Sequence, residues 1–99
     1  MQFVLIAYDY KQEGLQKRLK VREKHVELAE IMRVNGQFVY GGNFRNEKDE
    51  MIGSIMFMEF PSRKELDEWL KVEPYVVDKV WDKIEIYPFG LYPKFLKEL

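Results

Sequence analysis

The segment KRLKVREKHVELAEI, residues 17–31, sets two arginines and the chain's only histidine in one helical register. Arg18, Arg22 and His25 are spaced i, i+4, i+7, so on a helix they stack on one face. Counted at about 100° per residue, that face falls inside an apolar arc. Leu15, Leu19, Val26 and Ala29 form it, and Val21, Leu28 and Met32 continue it. Lys17, Lys20, Glu23, Lys24, Glu27 and Glu30 fill the opposite, solvated side. A guanidinium turned toward a core needs acceptors, because burying it unpaired is prohibitively costly. Two readings follow. In one, the arginines run along the helix edge and pair with carboxylates at strand ends such as Asp9, with His25 a boundary residue. In the other, the stripe lines a polar pocket that binds an anion and moves a proton.

A helix can hold that stripe over a pocket only if a sheet lies beneath it. FVLIAYDY (3–10) reads as a strand, and residues 15–34 carry the helical pattern up to the stop signal Asn35-Gly36. QFVYGGNF (37–44) and GSIMFMEF (53–60) read as strands joined by the polar RNEKDE, and so as an antiparallel pair. Ser62 with Glu65 forms a capping-box pattern ahead of Leu66, Trp69 and Leu70. Pro74 breaks that helix at Val72-Glu73 and opens a short further helix through about Val80. DKIEIYPF (82–89) is the last strand. The order β-α-β-β-α-β is the α+β, ferredoxin-like one: a four-stranded antiparallel sheet with two helices on one face. One face of such a sheet is usually polar. Here Phe3, Leu5 and Ala7 alternate with Val4, Ile6 and Tyr8, and Ile55 and Phe57 with Met56 and Met58, so both faces are apolar. The simplest cover for the second face is another copy, which predicts a homodimer through the sheet face.

Composition narrows the partners. The 99 residues suit a single domain, 1–99, and 46% of them are hydrophobic, enough for a core. A formal net charge of −1 argues against nucleic acid. No cysteine and a single histidine argue against a metal centre or a thiol nucleophile, and no cofactor is expected. No run reaches the roughly 18 apolar residues of a membrane helix. The N-terminus lacks the marks of a signal peptide, so no membrane association and a cytoplasmic location are expected. Trp69, Trp81, Met51, Met56 and Met58 read as packing residues. Leu91, Phe95 and Leu99 read as a C-terminal segment docking on the body or on a partner subunit.

KRLKVREKH resembles the KRL-x-VR-x-x-H helix of the YCII-domain (YciI-like) family. Tyr40-Gly41-Gly42 falls where that family ends its second strand with glycine. EPYVVDKVWDKIEIYPF resembles the family's ending, in which Asp-Pro-Tyr leads to a final Pro-Phe. The resemblance runs almost the whole chain, in the same order and at about the same spacing. It implies the fold of muconolactone isomerase and other dimeric α/β-barrel proteins. It also implies a site built on a histidine–aspartate pair in a cleft. One branch of the family dehydrochlorinates a chlorinated hydroquinone, and most members have no assigned reaction.

Carried over by position, the histidine is His25, and Glu73 stands where the family has aspartate. That change keeps the carboxylate and adds a methylene. His25 and Glu73 are therefore the candidate catalytic pair. Arg18 and Arg22 are candidates to hold a substrate carboxylate or phenolate. Tyr75 is a candidate donor or an aromatic plug, Asp9 an arginine's partner or part of the site, and Gly41 and Gly42 a bulge or a place for a ligand to approach. Two functions are in view. One is a small cofactor-independent enzyme of lyase or isomerase type, acting by acid–base chemistry on a small anionic, aromatic or enolisable compound. The other is a non-catalytic ligand-binding or accessory dimer module.

Overall fold

Both apolar faces of the first strand are used differently. In β1 (Gln2–Asp9), Phe3, Leu5 and Ala7 turn to one side and are buried, and Ile6 and Tyr8 turn to the other and are partly exposed. After it come α1 (Gly14–Val34), β2 (Phe38–Arg45), β3 (Met51–Glu59), α2 (Arg63–Leu70), the one-turn α3 (Pro74–Val77), β4 (Trp81–Pro88) and the turn α4 (Pro93–Leu96). The structure, a computed structural model, describes residues 1–96 and the side chains through Lys94. Leu91 is half-buried, whereas the expected docking of Phe95 and Leu99 lies outside the described side chains.

The sheet order is β2-β3-β1-β4, with every neighbouring pair antiparallel. This is the ferredoxin-like βαββαβ arrangement that the order of elements predicts. Val21 and Met32 from α1 and Leu66 and Trp69 from α2 pack onto Phe3, Leu5, Met56 and Met58, so the helices share one face. The other face carries Ile6, Tyr8, Tyr40, Phe44, Ile55, Phe57, Tyr87 and Phe89. Tyr8 stacks on Phe44 at 5.9 Å and Phe57 packs on Phe89 at 5.2 Å.

Helix α1 is turned away from the flank that hydrophobicity favours. Its inward line is Gly14, Arg18, Val21, His25, Leu28 and Met32, at steps of four and three. Leu19 and Val26, expected to face inward, are 58% and 49% exposed, and Arg22 is exposed as well. Arg18 and His25 therefore lie along the middle of the buried face, and Arg22 stands at its exposed edge. The contacts of Val21, Leu28 and Met32 with the sheet, with the ion pair of Arg18, set the rotation. The helix ends in a Schellman motif: Gly36 N–H donates to Arg33 O and Gln37 N–H to Met32 O, with Gly36 at φ 75°.

Three local expectations are corrected. Ser62 sits at the N-cap of α2, but its side chain makes no capping hydrogen bond, so no reciprocal capping box forms with Glu65. Helix α3 stops at Val77 rather than near Val80, because Lys79 takes the left-handed conformation at φ 56° and turns the chain so that Val80 is buried. The register of β2 shifts between Phe38 and Tyr40 and again between Phe44 and Arg45, on either side of the glycine pair rather than at it. Gly41 is there for close approach. A Cβ on it would lie 2.5 Å from Ile55 O, whereas one on Gly42 would meet nothing within 4 Å.

Candidate functional site

Asp9 ends β1 under the first turns of α1, and Arg18 reaches down to it. Arg18 Nε and Nη2 donate to the two carboxylate oxygens of Asp9 at 2.7 and 2.8 Å. Both side chains are nearly fully buried, at 3% and 4% exposure, so this is a desolvated, bidentate pair. Arg18 Nη2 also donates to Ser54 Oγ at 2.8 Å. The fork of Arg18 is thus occupied by the protein, and Asp9 is its partner.

About two turns further along α1, His25 meets Glu73. Pro74 at the first position of α3 ends the preceding turn and leaves Glu73 as the N-cap. The Glu73 carboxylate accepts from Tyr75 N–H at 3.2 Å, as a cap should, and the same Oε1 pairs with His25 Nδ1. The extra methylene of glutamate thus does not prevent either contact. Glu73 is completely buried, and its second oxygen has no partner among the described residues. With Nδ1 engaged by a carboxylate, His25 holds its proton there and leaves Nε2 free.

Tyr75 ties the two halves together. Its ring stacks on His25 with centroids 3.9 Å apart and planes 12° apart, and Arg18 Cζ lies 4.7 Å from its centroid. Trp81 meets both rings edge-on, at 6.2 Å from His25 and 5.6 Å from Tyr75. Burial pushes the Tyr75 phenol above its ordinary value, and the charges of Arg18 and Arg22 oppose that rise. Tyr75 therefore remains a neutral phenol at physiological pH.

A cavity of about 230 Å³ opens between α1 and the β2–β3 side of the sheet. Arg18, Arg22, His25 and Tyr75 line it, with Gly41, Gly42, Asn43 and Ser54 from the strands. Arg22 stands exposed at the cavity with no ion-pair partner among the described residues, while Arg33 there is held by Glu30 at 2.5 Å. That ion pair holds the Glu30 carboxyl below its usual value and raises Arg33. Of the residues singled out from the sequence, His25, Arg18, Arg22, Tyr75 and Gly42 line this one cavity. Glu73 backs it through His25, and Asp9 backs it through Arg18. Sequence reasoning missed Ser54 and Asn43, which no motif marks. The described residues contain no cluster of three or more metal-ligating side chains, and no described helix is long and apolar enough to cross a membrane.

Known proteins share this architecture. The model of the YCII-related domain matches residues 1–90. Protein YciI of Escherichia coli is 28% identical over 95 residues, covering 90% of this chain and 96% of that protein. Protein YciI of Shigella flexneri matches equally well. Among solved structures, 5-chloro-2-hydroxyhydroquinone dehydrochlorinase (TftG) from Burkholderia phenoliruptrix, in complex with 2,5-dihydroxybenzoquinone, superposes with a TM-score of 0.81. It is 19% identical, and the match covers 91% of this chain and 94% of that one. An antibiotic biosynthesis monooxygenase superposes with a TM-score of 0.54 at 20% identity, covering 94% of this chain and all of that one. At these identities the two solved structures establish a shared fold. The match of the domain model across 90 of the 99 residues goes further: this chain belongs to the YCII-related domain family.

Proposed function

We propose that the chain is a small enzyme of lyase or isomerase type that moves a proton on a compact, anionic, oxygenated ring compound. The observation that carries this reading is the pairing of His25 Nδ1 with the buried Glu73 at the wall of a cavity. A structural histidine needs no buried carboxylate behind it. A general base does, because the carboxylate fixes the tautomer and stabilises the imidazolium formed when Nε2 takes a proton. The stacked Tyr75 ring adds attraction for that cation.

The cavity size suits one ring. A cavity of roughly 150 Å³ accepts benzene, so about 230 Å³ accommodates a benzene ring with several oxygen substituents. Arg22 supplies an unpaired cation for an anionic substituent. Arg18 is bound to Asp9 and acts mainly by its charge and by holding Ser54 and Tyr75 in place. In an elimination, the proton goes to His25 Nε2 as the leaving group departs with its electron pair. In an isomerisation, His25 returns the proton to another atom of the same substrate. The dehydrochlorinase that shares this fold acts on a ring of this class. The sheet face away from the helices is proposed to close a homodimer.

The test is a panel of chlorinated and unchlorinated hydroxyhydroquinones and enolisable ring acids, with chloride release and deuterium incorporation from heavy water followed by NMR. We expect turnover or exchange with at least one compound, and a fall of about 10²–10⁴-fold in both His25→Gln and Glu73→Gln. No exchange across the panel, or variants as active as the parent, would leave the non-catalytic binding module as the reading.

A further inference from the structure

Two side chains on the sheet side of the cavity have their oxygens engaged by donors from the protein and keep N–H or O–H protons to offer. Ser54 on β3 and Asn43 on β2 are register partners, and both line the cavity. Directly paired residues of an antiparallel ladder stand side by side on the same face. Ser54 is 3% exposed. Its Oγ accepts from Arg18 Nη2 at 2.8 Å and from Trp81 Nε1 at 3.2 Å. Guanidinium and indole nitrogens only donate, and a hydroxyl has two acceptor sites and one proton. With both acceptor sites filled, Ser54 has only its O–H left to offer, and no protein acceptor takes it among the described residues.

Asn43 is anchored through its oxygen as well, by one donor. Its Oδ1 accepts from Arg45 Nε at 3.0 Å. Because arginine only donates, that bond fixes which end of the amide is oxygen. The Nδ2 end, with two protons, is left without a protein acceptor among the described residues.

We propose that Ser54 and Asn43 form a paired-donor floor that receives one oxygen of the ligand, as a phenolate, enolate or carboxylate, across the cavity from the helix that carries His25. This assignment rests on reading the cavity as the substrate site and says which part of the substrate goes where. Proton removal by His25 leaves negative charge on the conjugated oxygen, and fixed donors aimed at that atom stabilise the charge as it develops. The same floor rejects a ligand that presents an ammonium or other donor-only group there, since the Ser54 and Asn43 protons would then stay unpaired. Arg18, Trp81 and Arg45 are positioning residues for the floor: each acts through the acceptor it occupies.

The probe is 4-nitrophenol, whose ionised form absorbs in the visible. Titrated into the full chain near its own pKa, it should bind as the phenolate, with the absorbance of the ionised form increasing on binding. Asn43→Asp keeps a partner for Arg45 and replaces a donor by an acceptor, so phenolate affinity should fall roughly 10–100-fold. Ser54→Ala should lose about tenfold. Asn43→Asp serves as the deciding variant should Ser54→Ala, which strips Arg18 and Trp81 of their acceptor, fail to fold. Unchanged phenolate affinity in Asn43→Asp, or no binding of the phenolate by the parent chain, overturns the floor. The two proposals fail separately. If His25→Gln abolishes turnover while Asn43→Asp binds phenolate like the parent, only the donor floor falls. If Asn43→Asp loses phenolate while turnover ignores His25, the floor stands and the acid–base role does not.

Discussion

Arg18 and Arg22 look alike in the sequence and do different work. Arg18 is clamped to Asp9 by two hydrogen bonds in a nearly dry setting, whereas Arg22 keeps its charge free at the cavity mouth. Removing Arg18 strands a buried carboxylate. Arg18→Ala should therefore cost about 3–5 kcal/mol in urea unfolding, and adding Asp9→Asn should recover part of that loss. Arg22→Ala should leave stability within about 0.5 kcal/mol, as for surface substitutions, and weaken binding of anionic ligands. Tyr75 supplies a pH dependence. Burial raises the pKa of its phenol in the folded state above the ordinary value of 10.0. The folded state then holds the proton more tightly than the unfolded chain does. Its contribution to stability is complete below pH 10 and is lost as pH climbs through the folded value. Tyr75→Phe should flatten that alkaline decline in a melting series, and a decline of unchanged steepness would contradict the assignment. At this scale the sequence offered the residue types but not their bonds. The stripe spacing was legible because it is local. The partners of Ser54 were not, because Arg18 and Trp81 lie 36 and 27 positions away.

Elements translate those residues into positions, and here the reading of the sequence was right about kind and wrong about rotation. Strand and helix order followed from the alternation in β1 and β3, the stop at Asn35-Gly36 and the break at Pro74. The wheel on α1 placed Leu19 and Val26 inward, yet both are exposed. A wheel weighs side chains by hydrophobicity alone and cannot foresee that an Arg18–Asp9 pair and three apolar contacts turn the helix toward Arg18 and His25 and leave Arg22 exposed. The capping box is a second case: Ser62 and Glu65 have the right types and spacing, but the Ser62 side chain makes no capping hydrogen bond. The glycines test the elements one at a time. Gly36 sits at φ 75°, in the conformation that closes α1. Gly36→Ala should cost roughly 1–2 kcal/mol, and Gly36→Asn less. Gly41→Ala should unsettle the β2–β3 ladder, since the new Cβ lies 2.5 Å from Ile55 O, while Gly42→Ala meets nothing and should melt like the parent. Equal melting of the two alanine variants would show that the close approach at Gly41 relaxes freely.

For the whole molecule, the unresolved demand is the sheet face opposite the helices. The chain has one layer of helices, and all of it that packs on the core covers the side of Leu5 and Met56. The far side presents Ile6, Ile55 and Phe57 from central strands, flanked by partly exposed Tyr8, Tyr40, Tyr87 and Phe89. A contiguous apolar face of this kind is unusual on a free monomer, and a twofold pairing of the face with itself covers it without any new element. Helix α1 shows a second apolar set, Leu19, Val26, Ile31 and Val34, so the two surfaces need separate tests. Sheet-face pairing predicts twice the chain mass in sedimentation equilibrium at micromolar concentration. It also predicts a melting temperature that rises with protein concentration, since association stabilises only the folded chain. Phe57→Lys puts a charge at the centre of the face and should give a monomer; Val26→Lys on α1 should leave the dimer intact. The cavity opens on the helix side, so the Phe57→Lys monomer should still bind an anionic ligand at one site per chain. A parent chain that sediments as a monomer, or a dimer lost in Val26→Lys and kept in Phe57→Lys, would move the interface off the sheet.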